Sequence, residues 1–237
     1  MKKTLLVDVG NSSIAIAIWD GVSFSEPRYF SHDDLKGELG RLSQDFNTLI
    51  LSSVVPSLTP LFESLFSNCY VVTHEAIPHL HIRSSAPEQI GVDRLMAALG
   101  AYERYQKSTV VVDSGTALTF CYTNSDGGYE GGLIFPGMKI ASQSLADYTA
   151  KIPLIEVAPK SEIIGQTTKE AVEAGLYHGY IALINGLIQQ YKDFDPSVTV
   201  IGTGGGLEVL HDHLNLDVFE PQLVMHGLSC CARESLF

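Results

Sequence analysis

The sequence predicts an α/β fold made of two duplicated halves, each with three strands followed by alternating helices and strands, around a central cleft. Two segments share one pattern, an apolar run, then Asp-x-Gly, then a second apolar run, and they begin at Thr4 and Thr109. Their aspartates, Asp8 and Asp113, are 113 − 8 = 105 residues apart, close to half the chain. In each half, strand-like runs come first and helical periodicity follows. The predicted halves are residues 1–107 and 108–237, with no Pro/Gly/Ser-rich linker between them.

Composition supports a globular protein. The chain has 237 residues, of which 45% are hydrophobic and 18% charged, and this excludes disorder, collagen and coiled coil. A formal net charge of −12, with no run of Lys or Arg, argues against binding to nucleic acid or to a membrane surface. No apolar run reaches the roughly 18 residues of a membrane span. The four cysteines lack C-x-x-C spacing, so reduced thiols in the cytoplasm are expected.

In the first half, Thr4–Ile18 predicts two strands joined by a tight turn, because a Gly-containing turn separates two apolar runs. Two further strands and two helices are predicted in this half. They are a strand at Glu26–Phe30, a strand at Asn47–Ser52, a helix at Ser57–Phe66 and a helix at Gly91–Gln106.

The second half repeats this order. Strands are predicted at Thr109–Tyr122, Tyr129–Phe135 and Ser197–Ile201, a long helix at Thr168–Tyr191, and another helix after Gly202–Gly206. The long helix is predicted from apolar residues at steps of three and four, a stripe that we interpret as core. That stripe is Val172, Leu176, Tyr180, Leu183 and Leu187.

The two Asp-x-Gly turns are candidate phosphate sites. Their backbone amides and hydroxyls can bind phosphate oxygens, and Gly10 and Gly115 allow close approach of a ligand. Asp8 and Asp113 can hold a metal ion that bridges phosphates. Ordinary hairpins with an acidic cap are the alternative, but two copies plus the Gly-rich turn Gly202–Gly206 favour phosphate binding. A doubled phosphate loop is how actin-like (ribonuclease H-like) ATPases and sugar kinases bind a nucleotide.

Gly202–Gly206 follows a strand, which suits a nucleotide-contacting loop, although a simple strand-to-helix turn is an equal alternative. The sequence has no Walker A motif and no dinucleotide fingerprint at an N-terminal βαβ unit.

Two helix starts carry further candidate residues. Asp93 and Arg94 could serve as base and anion clamp, yet spacing alone favours a helix-terminal anion and a surface cation. Thr167 and Glu170 fit a capping box, and Thr168 as a substrate contact is the less favoured alternative. The histidines, including His32, are interpreted as surface residues.

Taken in order, these motifs resemble the type III pantothenate kinases over nearly the whole chain. Gly-x-Asp-Arg some twenty residues before Asp-x-Gly-Thr-Ala is the most specific part of the match. The matching segments are Asp8–Ser12, Gly91–Arg94, Asp113–Ala117, Gly131–Gly137, Gly165–Thr168 and Gly202–Gly206.

The resemblance implies transfer of the ATP γ-phosphoryl group to the primary hydroxyl of pantothenate, the first step of coenzyme A synthesis. It implies Asp93 as general base, Gly91, Val92, Asp93, Arg94 and Thr168 on pantothenate, and Asp113 on a monovalent cation, potassium or ammonium. ATP and Mg²⁺ are the other expected cofactors, and a homodimer is the expected assembly. The residues expected to bind ATP are Asp8, Val9, Gly10, Asn11, Ser12, Ser13, Ile14, Ala15 and Thr116.

The chain departs from the family pattern at two places. Residues 13–15 lack the basic residue that often follows the first loop, and Ser84 stands where a Tyr is common. These departures keep two alternatives open: a degenerate kinase that binds nucleotide as a regulatory protein, and a sugar kinase or phosphatase of the same superfamily.

Overall fold

The computed structural model describes residues 3–160 and 162–235, and these form two compact units. Unit 1 holds the described residues up to Lys107, residues 123–131 and the segment from Gln222 onward. Unit 2 holds residues 108–122 and 132–221. The division into halves at residues 107 and 108 stays a prediction about duplication, and its outer limits, residues 1 and 237, lie outside the described residues.

Unit 1 is built on a five-stranded mixed sheet. β1 pairs antiparallel with β2 and parallel with β4, so the ends of β1 and β4 lie at the same edge. The strands of this sheet are β1 (Thr4–Val9), β2 (Ile14–Trp19), β3 (Arg28–Phe30), β4 (Thr48–Ser53) and β5 (Asn68–Val71). Unit 1 also contains the short strand β6 (His81–Ile82), which belongs to the second sheet. The helices are α1 (Leu35–Asp45), α2 (Thr59–Leu65) and α3 (Val92–Tyr105).

Alternation along β1 and β4 places one set of apolar side chains on each face of this sheet. On one face, Leu5, Val7 and Leu49 pack in a single core with Leu39 of α1 and Phe62 of α2, and all five are 0% exposed. This packing fixes β1, whose last residues lead into the first predicted phosphate loop.

Unit 2 is built on a second sheet. Its strands are β7 (Thr109–Ser114), β8 (Ala117–Thr123), β9 (Gly128–Pro136), β10 (Thr199–Thr203) and β11 (Val218–Phe219). Its helices are α4 (Met138–Tyr148) and α5 (Thr168–Phe194). Short 3₁₀ turns at Gly205–Leu207 and His211–His213 connect β10 to β11. The first residues of β9, Gly128 and Tyr129, are packed with unit 1, where they pair with β6.

The two sheets have the same strand order. Unit 1 reads β3-β2-β1-β4-β5, and the corresponding strands of the second sheet read β9-β8-β7-β10-β11. In both, the third strand of the half lies next to the second, and the fourth pairs in parallel with the first. The second sheet has one further strand, the short β6, beside β9. This repeated order confirms the predicted α/β fold with duplicated halves.

The predicted helix after Gly202–Gly206 is wrong, because only 3₁₀ turns occur there. The C-terminal helix α6 (Leu223–Ser235) was not predicted, and it packs on α3 within unit 1. The stripe on α5 is confirmed in part, since Tyr180, Leu183 and Leu187 pack partly buried against the core. The fully buried residues of the helix are Ala174, Tyr177, Ile184 and Ile188. That helix is apolar on more than one side, so periodicity alone does not select the face that is buried.

The other predicted strands and helices are confirmed with ends shifted by a few residues. Among the described residues, no helix combines the length and the apolar character that crossing a membrane requires.

Candidate active site

The first predicted phosphate loop is a four-residue turn between β1 and β2. Its geometry is fixed by a hydrogen bond from the Gly10 N–H to the Ser13 carbonyl, 3.0 Å long. Asn11, Ser12 and Ser13 are exposed residues. A Cβ at Gly10 would lie 3.2 Å from the Ser13 carbonyl oxygen, which favours glycine there. The turn can therefore offer polar groups to an anionic ligand.

Asp8 lies one residue before the end of β1, beside the end of β4. The Ser52 hydroxyl donates to Asp8 Oδ1 at 2.7 Å, and the Val54 N–H donates to the Val9 carbonyl at 3.0 Å. These two bonds hold the loop entrance against β4 and give the Asp8 carboxylate a defined direction.

His32, from the segment between β3 and α1, also contacts this loop. Its Nε2 lies 2.9 Å from the Gly10 carbonyl oxygen, which requires the Nε2–H form of the ring as donor. The sequence-based interpretation of His32 as a surface residue is therefore wrong, since the side chain is half-buried and braces the turn.

The Gly91–Arg94 segment begins α3 at the same edge of the sheet. Gly91 precedes the helix, and a Cβ there would lie 2.5 Å from Asp93 Oδ1 and 3.7 Å from Val54 Cγ1. Val54 is the residue bonded to Val9 at the end of β1. Unit 1 thus brings Asp93 to the edge where Asp8 and the first predicted phosphate loop lie.

The Asp93 carboxyl is half-buried, and burial raises its pKa above the ordinary value of 3.8. A hydrogen bond from the Arg94 backbone N–H, 2.8 Å long, and the Arg94 charge oppose this rise. The expectation that the helix terminus favours the ionised form is therefore outweighed by desolvation. A carboxyl with a raised pKa is better matched to accepting a proton near neutral pH.

Arg94 extends toward β9. Its Nη2 donates to the Tyr129 hydroxyl at 3.0 Å, and Tyr129 is 0% exposed. Ser84, which replaces a common family Tyr, accepts from the Ala86 N–H at 3.2 Å and so stabilises its own turn.

In unit 2, Asp113 is at the end of β7 and the second predicted phosphate loop follows it. The Gly115 N–H donates to the Ala117 carbonyl at 2.9 Å, and the Gly137 N–H donates to the Thr116 carbonyl at 3.1 Å. A Cβ at Gly137 would overlap the Gly115 carbonyl and lie 2.5 Å from the Thr116 carbonyl oxygen. The start of α4 is thus packed directly on this loop.

The third Gly-rich turn packs on Asp113 and Ser114. Gly204 has φ of +85°, and a Cβ there would overlap Asp113 Oδ1. A Cβ at Gly206 would lie 2.5 Å from the Ser114 hydroxyl and 2.7 Å from the Ser114 carbonyl oxygen. Glycine is required here because the turn passes close to the Asp113 carboxylate and to the carbonyl and hydroxyl oxygens of Ser114.

Thr168 begins α5 at the surface of unit 2. The predicted capping box is confirmed: the Glu170 N–H donates to Thr167 Oγ1 at 3.2 Å, and the Thr167 N–H donates to Glu170 Oε2 at 3.0 Å. No hydrogen bond described for residues 3–160 and 162–235 ties Thr168 to Asp113 or Thr116.

Comparison with known proteins identifies the family. The family model described as type III pantothenate kinase matches residues 4–190, well over half of the chain. The chain belongs to the type III pantothenate kinase family.

Individual relatives agree with this assignment. A type III pantothenate kinase of Geotalea daltonii is 33% identical to the chain, and the match covers 94% of the chain and 95% of the relative. This level of identity over the whole length extends the family match beyond residue 190.

Solved structures support the fold alone. A Campylobacter jejuni protein, provisionally assigned to the Baf family of transcriptional activators, matches with a TM-score of 0.64 at 19% identity, over 98% of each chain. A Sinorhizobium meliloti protein, provisionally assigned as a 2-dehydro-3-deoxygalactonokinase, matches with a TM-score of 0.62 at 16% identity, over 98% of the chain and 96% of its own. The actin-like sugar-kinase fold is therefore shared.

Within the type III pantothenate kinase family, sequence reasoning located the loops and the Gly91–Arg94 segment but missed two residues that contact them. His32 and Tyr129 lie outside the recognised motifs, and no spacing rule joins them to Gly10 or Arg94. An isolated polar side chain, such as His32 before α1 or Tyr129 in β9, gives no sequence signal of the partner that it contacts in the folded chain.

Proposed function

We propose that this chain transfers the γ-phosphoryl group of ATP to the primary hydroxyl of pantothenate, giving 4'-phosphopantothenate, the first step of coenzyme A biosynthesis. The proposal rests mainly on the Gly91–Arg94 segment, which carries the most specific family motif. It places the half-buried Asp93 carboxyl and the Arg94 guanidinium at the start of α3. A carboxylate base beside an anion-binding cation suits a substrate that has both a hydroxyl and a carboxylate.

Asp93 is proposed as the general base. The pantothenate hydroxyl oxygen attacks the γ-phosphorus, the bond from that phosphorus to the β–γ bridging oxygen breaks, and ADP leaves with the electron pair. The hydroxyl proton passes to Asp93. Gly91, Val92, Arg94 and Thr168 are proposed to bind pantothenate, with Arg94 on its carboxylate.

ATP is proposed to bind through residues 8–15 and Thr116. Each segment follows a strand in an exposed or half-exposed turn, and a backbone hydrogen bond from the Gly10 or Gly115 N–H holds the shape of that turn. Little covalent chemistry is needed from a protein in phosphoryl transfer, so positioning and neutralisation of charge supply most of the acceleration. The His32 contact with Gly10 supports a preformed first loop.

Asp113 is proposed to hold a monovalent cation, potassium or ammonium. Oxygen atoms are the ligands that hard cations prefer, and Gly204 and Gly206 pack closely against the Asp113 carboxylate and the carbonyl and hydroxyl oxygens of Ser114. In the described part of the chain, no group of three or more His, Cys, Asp and Glu side chains could hold a metal ion. Mg²⁺ is therefore proposed to arrive with ATP, since it is commonly held by phosphates and few carboxylates. When bound, these cations neutralise phosphate charge.

Replacement of Asp113 by Asn should weaken ATP binding and blunt potassium activation, because the amide keeps the shape but loses the charge that a cation requires. Initial rates at varied ATP, in potassium and in sodium buffers, measure both effects. Asp126→Asn, in the turn before β9, is the matched control and should behave as wild type. Full activity of Asp113→Asn, or equal wild-type activity in a sodium-only buffer, would refute the cation role.

A homodimer in the cytoplasm is proposed as the working form. Unit 2 exposes large apolar side chains on α4 and on the segment before α5, among them Tyr148 at 88%, Ile163 at 75% and Ile164 at 78%. Exposed apolar groups of this kind are common at protein interfaces.

Sedimentation should give twice the chain mass of 25.7 kDa. Ile164→Asp should shift the protein toward monomer, because a buried unpaired charge opposes association. Val22→Asp, at a residue of unit 1 that is 88% exposed, should leave the mass unchanged. A monomeric wild type at micromolar concentration would contradict the dimer.

The proposed function is tested by ADP release from ATP in potassium and magnesium buffer, with and without pantothenate. Pantothenate-dependent release is expected, with little release from a panel of sugars. A regulatory protein would bind ATP without turnover, and a sugar kinase or phosphatase would respond to the panel instead. Either result would overturn the proposal.

A further inference from the structure

The strongest unassigned contact near the proposed site joins Arg94 to Tyr129. Tyr129 is 0% exposed, one of the largest fully buried side chains of the molecule, and its hydroxyl accepts a hydrogen bond from Arg94 Nη2 at 3.0 Å. A buried phenol hydroxyl requires partners, because leaving it unpaired costs free energy. A phenylalanine would fill the same space with no polar demand, so the hydroxyl is the feature to be explained.

The backbone of Tyr129 is fixed independently of Arg94. Ile82 of β6 pairs with Tyr129 in parallel register, and the Arg83 N–H donates to the Tyr129 carbonyl at 2.9 Å. The neighbouring Gly128 leaves little room for movement, since a Cβ there would lie 2.7 Å from Asn124 Nδ2. The hydroxyl therefore occupies a set position in unit 1 before any ligand arrives.

Arg94 is held at its other end by α3. Its backbone N–H bonds to Asp93 Oδ1 at 2.8 Å and to the Gly91 carbonyl at 3.1 Å. Between the fixed backbone and the guanidinium lies a flexible side chain, which loses much rotamer freedom when it binds a ligand. A hydrogen bond to a fixed neutral hydroxyl restricts that freedom in advance and takes no charge from the guanidinium.

We propose that Tyr129 is a positioning residue for the acid substrate: its hydroxyl directs the Arg94 guanidinium toward the substrate carboxylate. The proposal rests on the proposed function, in which Arg94 binds pantothenate. It adds a residue outside every motif in the sequence and assigns it to substrate affinity, with no part in the chemical step or in ATP binding.

Tyr129→Phe removes the hydroxyl and keeps the ring. The KM for pantothenate should rise about tenfold, the scale of one lost hydrogen bond to a charged group, while the KM for ATP stays within about twofold. The matched control is Tyr102→Phe, in the same unit, where the hydroxyl donates to the Ser125 carbonyl at 3.4 Å. That variant should keep both constants at wild-type values.

A double-mutant cycle separates positioning from simple packing. Arg94→Met removes the guanidinium, so adding Tyr129→Phe to it should cause little further loss in kcat/KM for pantothenate. If Tyr129 acted only through packing, Tyr129→Phe would instead lower kcat/KM by the same factor in wild type and in Arg94→Met, and would lower the Tm. Equal losses, or an unchanged pantothenate KM in Tyr129→Phe, would overturn the positioning role.

Failure of the two proposals is distinguishable. A wild-type enzyme with no pantothenate-dependent ADP release overturns the proposed function. A wild-type enzyme that phosphorylates pantothenate, together with an indistinguishable Tyr129→Phe, overturns the positioning role alone.

Discussion

Replacement of Asp93 by Asn should lower kcat by about 10²–10⁴-fold, the usual loss when a general base is removed. The amide oxygen can still accept the Arg94 N–H that bonds to Oδ1 at 2.8 Å, so the start of α3 should be preserved. ATP binding should stay close to wild type. Steady-state rates and calorimetric ATP titration measure the two quantities.

Thermal stability of this variant separates the two roles of Asp93. Burial raises the pKa of the folded carboxyl above 3.8, so the stability it contributes is complete below that pH and is lost as the pH rises through the raised pKa. At neutral pH the buried, ionised carboxylate therefore destabilises the folded protein, and the neutral Asn side chain removes this effect. The Tm of the variant should equal or slightly exceed that of wild type. If Asp93 only complemented the helix dipole, its replacement would instead lower the free energy of unfolding by up to about 1 kcal/mol and leave kcat unchanged.

The same raised pKa predicts the acidic limb of the rate profile. Only the ionised carboxylate accepts a proton, so wild-type kcat should fall as the pH falls through a pKa above 3.8. Asp45→Asn, an exposed residue at the end of α1 in the same unit, is the matched control and should keep the wild-type rate and profile. A stable and fully active Asp93→Asn protein would refute the base mechanism.

Replacement of Gly137 by Ala should destabilise the protein by about 2–3 kcal/mol, because the new methyl group would overlap two backbone carbonyls of the second predicted phosphate loop. Backbone cannot move aside as a flexible side chain can. For a chain of this length the Tm should fall by roughly 4–12 °C, measured by calorimetry. ATP affinity should fall as well, since Thr116 is displaced.

Gly115→Ala, in the same loop, is the matched comparison. A Cβ there meets nothing within 4 Å, so the free energy of unfolding should change by less than about 0.5 kcal/mol. The KM for ATP should nevertheless rise, because the methyl group obstructs the close approach of a phosphate. Equal losses of stability in the two variants would show that crowding at Gly137 is not the cause.

Much of the fold could be predicted from the sequence because its signals are local. Apolar runs broken by Asp-x-Gly predicted β1, β2, β7 and β8, and the capping box of Thr167 and Glu170 placed the start of α5. The repeat of Asp8 and Asp113 indicated the duplication that the shared strand order confirms. The motifs also placed Asp93 and Arg94 at the start of α3.

The remaining errors came from contacts that no local pattern encodes. The helix predicted after Gly206 was replaced by 3₁₀ turns, and the buried face of α5 was set by the sheet it packs on. Docking of α6 on α3 joins segments more than a hundred residues apart, and such pairing depends on the folded surfaces of both helices.

By itself, the sequence determined the α/β class, the duplication, the two Asp-x-Gly turns and the family to which the chain belongs, because strand periodicity and glycine turns act over a few residues. Only the tertiary structure decided the environment of each site residue. Burial raised the pKa of Asp93, and folding brought His32 to Gly10 and Tyr129 to Arg94. Desolvation and side-chain contacts depend on atoms distant in the chain, so they exist only once the chain has folded.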